Sequence, residues 1–150
     1  MTTSLSRREF LYATAAAVTA LATPALAASP TFYRNPGCGC CHLWSERMAS
    51  AGMPVTLVDS DDLTGELERH GVRFELHGCH VGRIDGYVIS GHVPPEDIKR
   101  LLAEKPEALG LAVPGMPMGS PGMDEGSTSE PYAVLLFRAD GSSVEYATHG

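Results

Sequence analysis

Apolar residues in the first part of the chain recur at spacings that predict short strands separated by helices. The segments 31–34 (TFYR) and 54–59 (PVTLVD) are rich in β-branched and aromatic residues, bounded by turn residues, and predict strands. Between them, Trp44, Met48 and Ala51 fall at i, i+4 and i+7, the spacing of a helix with one buried face. This region therefore predicts a strand, a helix and a second strand.

The rest of the chain continues the alternation. Residues 61–71 predict a short helix, residues 82–91 a hairpin, and residues 94–106 a helix opened by proline and acidic residues. Residues 132–137 and 142–147 predict a C-terminal hairpin. The order β-α-β-α-β-β-α, then β-β, predicts an α/β fold. We expect a thioredoxin-like arrangement with a mixed central sheet of four to five strands flanked by about three helices.

The N-terminal segment does not fit this pattern and is typical of an export signal. The pair Arg7-Arg8 precedes an Ala/Thr/Val-rich stretch that is too short and weakly apolar to span a bilayer stably, and residues 25–27 (ALA) form a small-x-small cleavage site. A membrane anchor or a disordered tail is the alternative. We predict a twin-arginine export signal over residues 1–27, one domain over residues 28–150, and a periplasmic location.

The net charge of the exported part and the length of its apolar runs disfavour two classes of partner. Removing residues 1–27 takes away two arginines and one glutamate, which leaves 9 basic and 17 acidic residues and a net charge of −8. A nucleic-acid partner is disfavoured because phosphate binding needs a basic surface. No second apolar run is long enough for a membrane helix, so no membrane partner is expected after signal removal.

Three of the four cysteines lie within NPGCGCCHLW, between the first predicted strand and the first predicted helix. A structural disulfide framework fits poorly, because a bridge within four residues closes almost no loop. A redox pair of Cys38 with Cys41 explains the position before a helix, but it leaves Cys40 without a role. Metal binding uses all three thiolates, which are soft donors that select Cu(I), Zn(II) or iron–sulfur assemblies.

The fourth cysteine lies in a second group of ligand-type residues. Cys79 stands between His77 and His80 in LHGCHVG. A lone histidine is more often an ordinary surface or structural residue than a ligand, but cysteine and imidazole together form a borderline-to-soft donor set. We expect Cys79 and one of these histidines to complete the metal site, and we name His80 as the expected ligand.

The methionines distinguish copper from zinc. Met116, Met118 and Met123 lie in a loop rich in glycine and proline and not on an amphipathic stripe, so core packing explains them poorly. Thioether sulfur is a good ligand for Cu(I), whereas zinc sites in proteins use cysteine, histidine and carboxylate. Copper is therefore expected, and zinc is the less favoured metal.

Three segments, YRNPGCGCCHLW, GCHVGRIDGYVISGHVPPEDIKRLL and GLAVPGMPMGSPGM, together resemble the CopG-type family of periplasmic CxCC copper-resistance proteins. The resemblance extends from about Phe32 to Tyr146 and implies a thioredoxin-like fold and Cu(I) held by cysteines, with several ions sharing bridging thiolates as one arrangement. His92 is implied either as a ligand or as the residue that holds the turn before the third helix. The segment CHVG departs modestly from the family's pattern. The expected metal ligands are Cys38, Cys40, Cys41, Cys79, Met116, Met123, His92 and His80.

The sequence thus predicts an exported Cu(I)-binding protein of periplasmic copper resistance or homeostasis. Its partners would be copper ions and other periplasmic copper-handling proteins, and it would buffer copper, transfer it or change its oxidation state. No catalysed reaction is assigned. The alternative from another class is a thiol–disulfide oxidoreductase with Cys38 as attacking thiolate and Cys41 as resolving thiol. A structural zinc domain is the third possibility.

Overall fold

The structure of the protein is a computed structural model that describes residues 28–124, 126 and 128–150. The predicted export signal lies outside these residues. The described residues form seven strands, three α-helices and one 3₁₀ turn. In chain order they are β1 (Thr31–Arg34), α1 (Gly39–Ser50), β2 (Thr56–Asp59), α2 (Leu63–Arg69), the 3₁₀ turn (Phe74–Leu76), β3 (His80–Ile84), β4 (Tyr87–Ser90), α3 (Pro95–Glu104), β5 (Gly110–Ala112), β6 (Tyr132–Phe137) and β7 (Ser143–His149). None of these helices has the length and apolar character needed to cross a membrane.

All seven strands belong to one mixed sheet with the order β2-β1-β3-β4-β5-β6-β7. The predicted α/β class and the three helices are confirmed, but the prediction of four to five strands is wrong. Strand β5 was missed because three residues, Gly110–Ala112, are too few to show a periodicity and are buried on both faces. The C-terminal hairpin also extends the same sheet through β5 and does not form a separate layer.

Helices cover both faces of the sheet, and alternate residues of each strand point to opposite faces. Trp44 of α1 and Ile98 of α3 belong to one buried cluster together with Phe32 of β1. Leu63 of α2 belongs to the other cluster, against which the neighbouring strand residue Tyr33 packs. Helices α1 and α3 therefore share one face and α2 lies on the other.

The strand directions bring four chain segments to one edge of the sheet. Arg34 at the end of β1 pairs with His80 at the start of β3, because these strands are antiparallel. Ser90 at the end of β4 lies one strand further along, and it pairs in parallel with Ala112 at the end of β5. The segments that follow β1, precede β3, follow β4 and follow β5 therefore emerge at this edge.

Candidate metal centre

The first segment at this edge carries three cysteines into the start of helix α1. The Asn35-Pro36-Gly37 turn reverses the chain, with Gly37 in the left-handed region (φ +71°). Cys38 is the N-cap residue with extended backbone, and its amide donates to the Asn35 carbonyl at 3.2 Å. The guanidinium of Arg34 donates to the Cys38 carbonyl at 2.9 Å, which fixes the N-cap residue.

The second segment, before β3, places Cys79 against these three cysteines. The four Sγ atoms lie within 4.8 Å of one another. Cys79 Sγ is 3.4 Å from Cys41 Sγ and 3.9 Å from Cys40 Sγ, and Cys40 Sγ is 3.4 Å from Cys38 Sγ. Cys38 and Cys41 are joined by a disulfide with their Cα atoms 5.4 Å apart, while Cys40 and Cys79 are free. Full reduction would therefore present four thiol sulfurs at one place.

The third segment, after β4, aims an imidazole at the cysteines. His92 is fully buried, and its Nδ1 lies 2.7 Å from the carbonyl oxygen of Pro121. Only a protonated Nδ1 can donate to a carbonyl, so Nε2 carries the lone pair. Nε2 lies 2.7 Å from Cys79 Sγ, and the thiol donates to it. The same lone pair is available to a metal ion, with Pro121 holding the ring in the orientation that this needs.

His80 lies deeper, behind the thiols. Its ring is fully buried, with its centroid 4.2 Å from that of Trp44 and 5.2 Å from that of His92. Nδ1 is 3.6 Å from Cys79 Sγ, and Nε2 is, among the described residues, the buried side-chain nitrogen or oxygen atom that has no hydrogen-bond partner. His80 also belongs to a second ligand group within 4.8 Å, together with Cys41, Cys79 and His92.

Burial controls the protonation of the inner groups. Burial raises the pKa of Cys79 far above the ordinary thiol value, and the neighbouring Cys40 adds to this shift. Burial also lowers the pKa of His92, although its bond to the Pro121 carbonyl opposes the shift. It lowers the pKa of His80 well below the ordinary value, with the adjacent His92 as a smaller cause. Both imidazoles are therefore neutral and able to act as ligands at neutral pH.

The fourth segment, after β5, brings one of the two predicted methionine ligands to the cysteines. Met116 Sδ lies 4.0 Å from Cys40 Sγ, and the residue is 53% exposed. Met123 contributes backbone bonds instead, since its amide donates to the Ser120 carbonyl at 2.7 Å and its carbonyl accepts from Gly119 at 3.1 Å. The described sulfur–sulfur contacts thus include Met116 and do not include Met123.

His77, the alternative to His80 in the sequence, points away from the cysteines. Its Nε2 contacts the Val72 carbonyl at 3.2 Å, and its ring packs on exposed Phe74 with centroids 5.4 Å apart. Its backbone carbonyl accepts from the Gly115 amide at 2.9 Å, which anchors the loop just before Met116. His77 therefore holds the loop and is not among the residues gathered around the sulfurs.

Sequence reasoning missed the residues that orient the donors. Pro121 acts through its backbone carbonyl and Arg34 through a bond to a carbonyl, and neither contact has a sequence motif. Gly122 allows the loop to approach α1, because a Cβ there would lie 2.5 Å from the Cys40 carbonyl oxygen and 2.8 Å from the Trp44 amide nitrogen. A salt bridge of 2.8 Å between Arg47 and Asp124 fastens the loop beyond it.

The chemistry of this donor set fits a soft metal ion. Thiolate sulfur, neutral imidazole and thioether are the ligands that Cu(I) prefers, and hard carboxylate oxygen is absent from both ligand groups found among the described residues. Cys41 and Cys79 belong to both ligand groups, so in the reduced protein each could bridge two metal ions as a thiolate. The arrangement is thus suited to hold soft ions close together in a largely buried place.

Comparisons with known proteins agree with this chemistry. Residues 76–123 match a family described as "Protein of unknown function, DUF411". The chain is 37% identical to the solved structure of "Copper resistance protein copG- Form 1", with a TM-score of 0.75, 80% of this chain covered and 95% of the other. For "Copper resistance protein copG- Form 2" the identity is 36%, the TM-score 0.76 and the coverage 81% and 97%. No curated protein sequence matches the chain.

Proposed function

The chain belongs to the CopG family of copper resistance proteins, and on that premise we propose that it binds Cu(I) through Cys38, Cys40, Cys41 and Cys79. His92 supplies an imidazole nitrogen to the same site. The observation that carries the proposal is the convergence of four Sγ atoms within 4.8 Å, with His92 Nε2 held 2.7 Å from one of them. Copper is the cargo that the protein carries and not a cofactor of a reaction.

The overlap of the two ligand groups supports more than one copper ion per chain. Cys41 and Cys79 belong to both groups, so once the Cys38–Cys41 disulfide is reduced their thiolates are placed to bridge neighbouring ions. His80 lies in the inner group, and its buried Nε2 has no hydrogen-bond partner among the described residues. Bridging of this kind shares the negative charge of each thiolate between two cations, which favours closely spaced ions in a buried site.

In the cell, the proposed role is periplasmic copper resistance or homeostasis. Residues 1–27 would direct export by the twin-arginine route and be removed, and residues 28–150 would act as a thioredoxin-like copper-binding domain. Other periplasmic copper-handling proteins would deliver or receive the ions. Buffering, transfer and a change in copper oxidation state are all compatible with a thiolate site.

A second candidate function has one observation in its favour, the disulfide between Cys38 and Cys41. Cys38 is partly exposed at the N-terminus of α1 while Cys41 is fully buried, the order expected for an attacking and a resolving thiol. Under this thiol–disulfide oxidoreductase hypothesis, Cys40 and Cys79 have no required part in exchange.

Two substitutions separate the candidates. The protein is reduced without oxygen, loaded with Cu(I), washed with a competing chelator and analysed for metal per chain. Cys40→Ser and Cys79→Ser should each lower the copper retained, whereas the control His42→Asn should not, because His42 is exposed and pairs with Glu46. Disulfide exchange that survives both cysteine substitutions, without copper retention by the unsubstituted protein, would establish the oxidoreductase. Zinc without copper, and unfolding by chelator, would indicate a structural zinc domain.

A further inference from the structure

The donors Met116, Cys40, Cys79 and His92 lie in a row, each in contact with the next. Solvent exposure falls along this row from Met116 to His92. Met116 at the outer end is 53% exposed, whereas Cys40 and Cys79 are partly buried and Cys41 and His92 are fully buried. Met116 is therefore the most exposed donor of this row. The metal site has a defined outer end.

The spacing along this row suits direct transfer of an ion between neighbouring donors. Met116 Sδ lies 4.0 Å from Cys40 Sγ, Cys40 Sγ lies 3.9 Å from Cys79 Sγ, and Cys79 Sγ lies 2.7 Å from His92 Nε2. Metal–sulfur bonds of about 2.3 Å allow two sulfurs on the same ion to be up to about 4.6 Å apart. Each neighbouring pair is close enough to hold one ion together, so the ion need not be released into water between them.

The position of Met116 is set by the backbone and not by packing of its own side chain. The Gly115 amide donates to the His77 carbonyl, and Gly115 bridges to Gly78 one residue before Cys79. The thioether is thus carried at the edge of the site on a fixed backbone, with Met116 about half exposed and its sulfur 4.0 Å from Cys40 Sγ. This combination suits a donor that binds an arriving ion briefly and passes it inward.

We propose that Met116 is the port through which the site exchanges Cu(I) with a partner that carries the ion on soft sulfur ligands. The inference rests on the proposed Cu(I)-binding function and adds the direction of transfer, from Met116 through Cys40 to Cys79 and His92. Because zinc sites use thiolate, imidazole and carboxylate but not thioether, the port favours Cu(I) over Zn(II) during loading. Met116 is a transient ligand, and the resident ligands lie deeper.

The test separates the rate of loading from the strength of binding. The reduced protein is mixed with a chromogenic Cu(I) chelate, loading is followed by the loss of chelate absorbance, and affinity is then measured by competition with excess chelator. Met116→Leu keeps the size and apolar character of the side chain but removes sulfur. Met118→Leu is the matched control in the same loop, since the described hydrogen bonds of Met118 join its backbone to Glu130 and none joins it to the cysteines.

Met116→Leu should slow loading by about tenfold, because the ion loses the outermost sulfur of the row and a transfer barrier higher by about 1.4 kcal/mol slows the step tenfold. Its equilibrium affinity should remain equal to that of Met118→Leu. Unchanged loading in Met116→Leu would overturn the port, and so would an equal loss of rate and affinity, which would make Met116 a resident ligand. Failure of the unsubstituted protein to retain Cu(I) is a distinct result that overturns the proposed function, and the port with it.

Discussion

Gly122 offers a test of whether the loop after β5 is built to seat against helix α1. Its φ is +90°, in the left-handed region, and a Cβ would lie 2.5 Å from the Cys40 carbonyl oxygen, 2.8 Å from the Trp44 amide nitrogen and 3.3 Å from His92 Nδ1. The first two are backbone atoms of α1, which cannot rotate away. Gly122→Ala should therefore push the loop off the helix and carry the Pro121 carbonyl away from His92.

The size of this effect has two parts. An alanine held in the left-handed region costs about 1–2 kcal/mol in the free energy of unfolding. Displacement of the loop also leaves the buried His92 Nδ1 without its acceptor, which costs about 1–3 kcal/mol. Gly52→Ala is the matched control, because Gly52 has a similar φ of +82° and open space within 4 Å of the added Cβ. Gly122→Ala should then be more destabilising than Gly52→Ala by about 1–3 kcal/mol.

Two measurements on the reduced protein decide the matter. Denaturant unfolding of the copper-free protein followed by circular dichroism gives the free energies of unfolding of the two variants. Competition with a Cu(I) chelator should show Gly122→Ala binding copper about 10–100-fold more weakly, because His92 has lost the partner that orients its ring. Equal stability of the two alanine variants, together with unchanged copper affinity, would refute the argument that Gly122 seats the loop and that Pro121 orients His92.

Three further predictions concern His80, Trp44 and the disulfide at the site. Burial lowers the pKa of His80, so below pH 6.5 the unfolded state takes up a proton that the folded state does not. The free energy of unfolding should therefore fall on acidification by up to about 1.4 kcal/mol per pH unit. His80→Gln should reduce that slope, and an identical slope in the variant would exclude the mechanism. Trp44→Phe should cost about 1–3 kcal/mol in denaturant unfolding, because Nε1 donates to the buried Val93 carbonyl at 2.9 Å and the carbonyl would lose this partner; a loss below about 1 kcal/mol would mean that water replaces the indole. Reducing the Cys38–Cys41 disulfide in metal-free protein should lower stability by about 2 kcal/mol at most, since the closed loop is so short; a much larger drop in thermal unfolding would show that the bridge supports the fold.

Local patterns were sufficient to predict most of the secondary structure. The strand at Thr31–Arg34 and the strand at Tyr132–Phe137 have the predicted bounds, and helix α3 occupies Pro95–Glu104 within the predicted segment. These elements carry apolar periodicity, β-branched runs or proline at the helix start, which act over a few residues. The three-residue strand β5 has no such signal, because it is defined by pairing with Ser90 and Leu135 on its neighbours.

The residues of the candidate site were likewise predictable only in part from local sequence patterns. Cysteine spacing indicated soft-metal chemistry, because three thiols in four residues have few other uses, and the methionine-rich loop indicated Cu(I). The sequence left His77 and His80 as alternatives and treated Met116 and Met123 alike. The structure brings His80 and Met116 to the cysteines and gives His77 and Met123 backbone contacts.

What the sequence by itself determined is therefore the type of donor, and the tertiary structure decided which donors meet. Cys79 and His92 are 39 and 52 residues from Cys40 along the chain, a separation that no local pattern can bridge. They come together because antiparallel pairing of β1 with β3, and the parallel crossover from β4 to β5, place four strand ends at one edge of the sheet. The carbonyl of Pro121 that orients His92 is a backbone atom shared by every residue type, so only its position in the folded chain gives it a function.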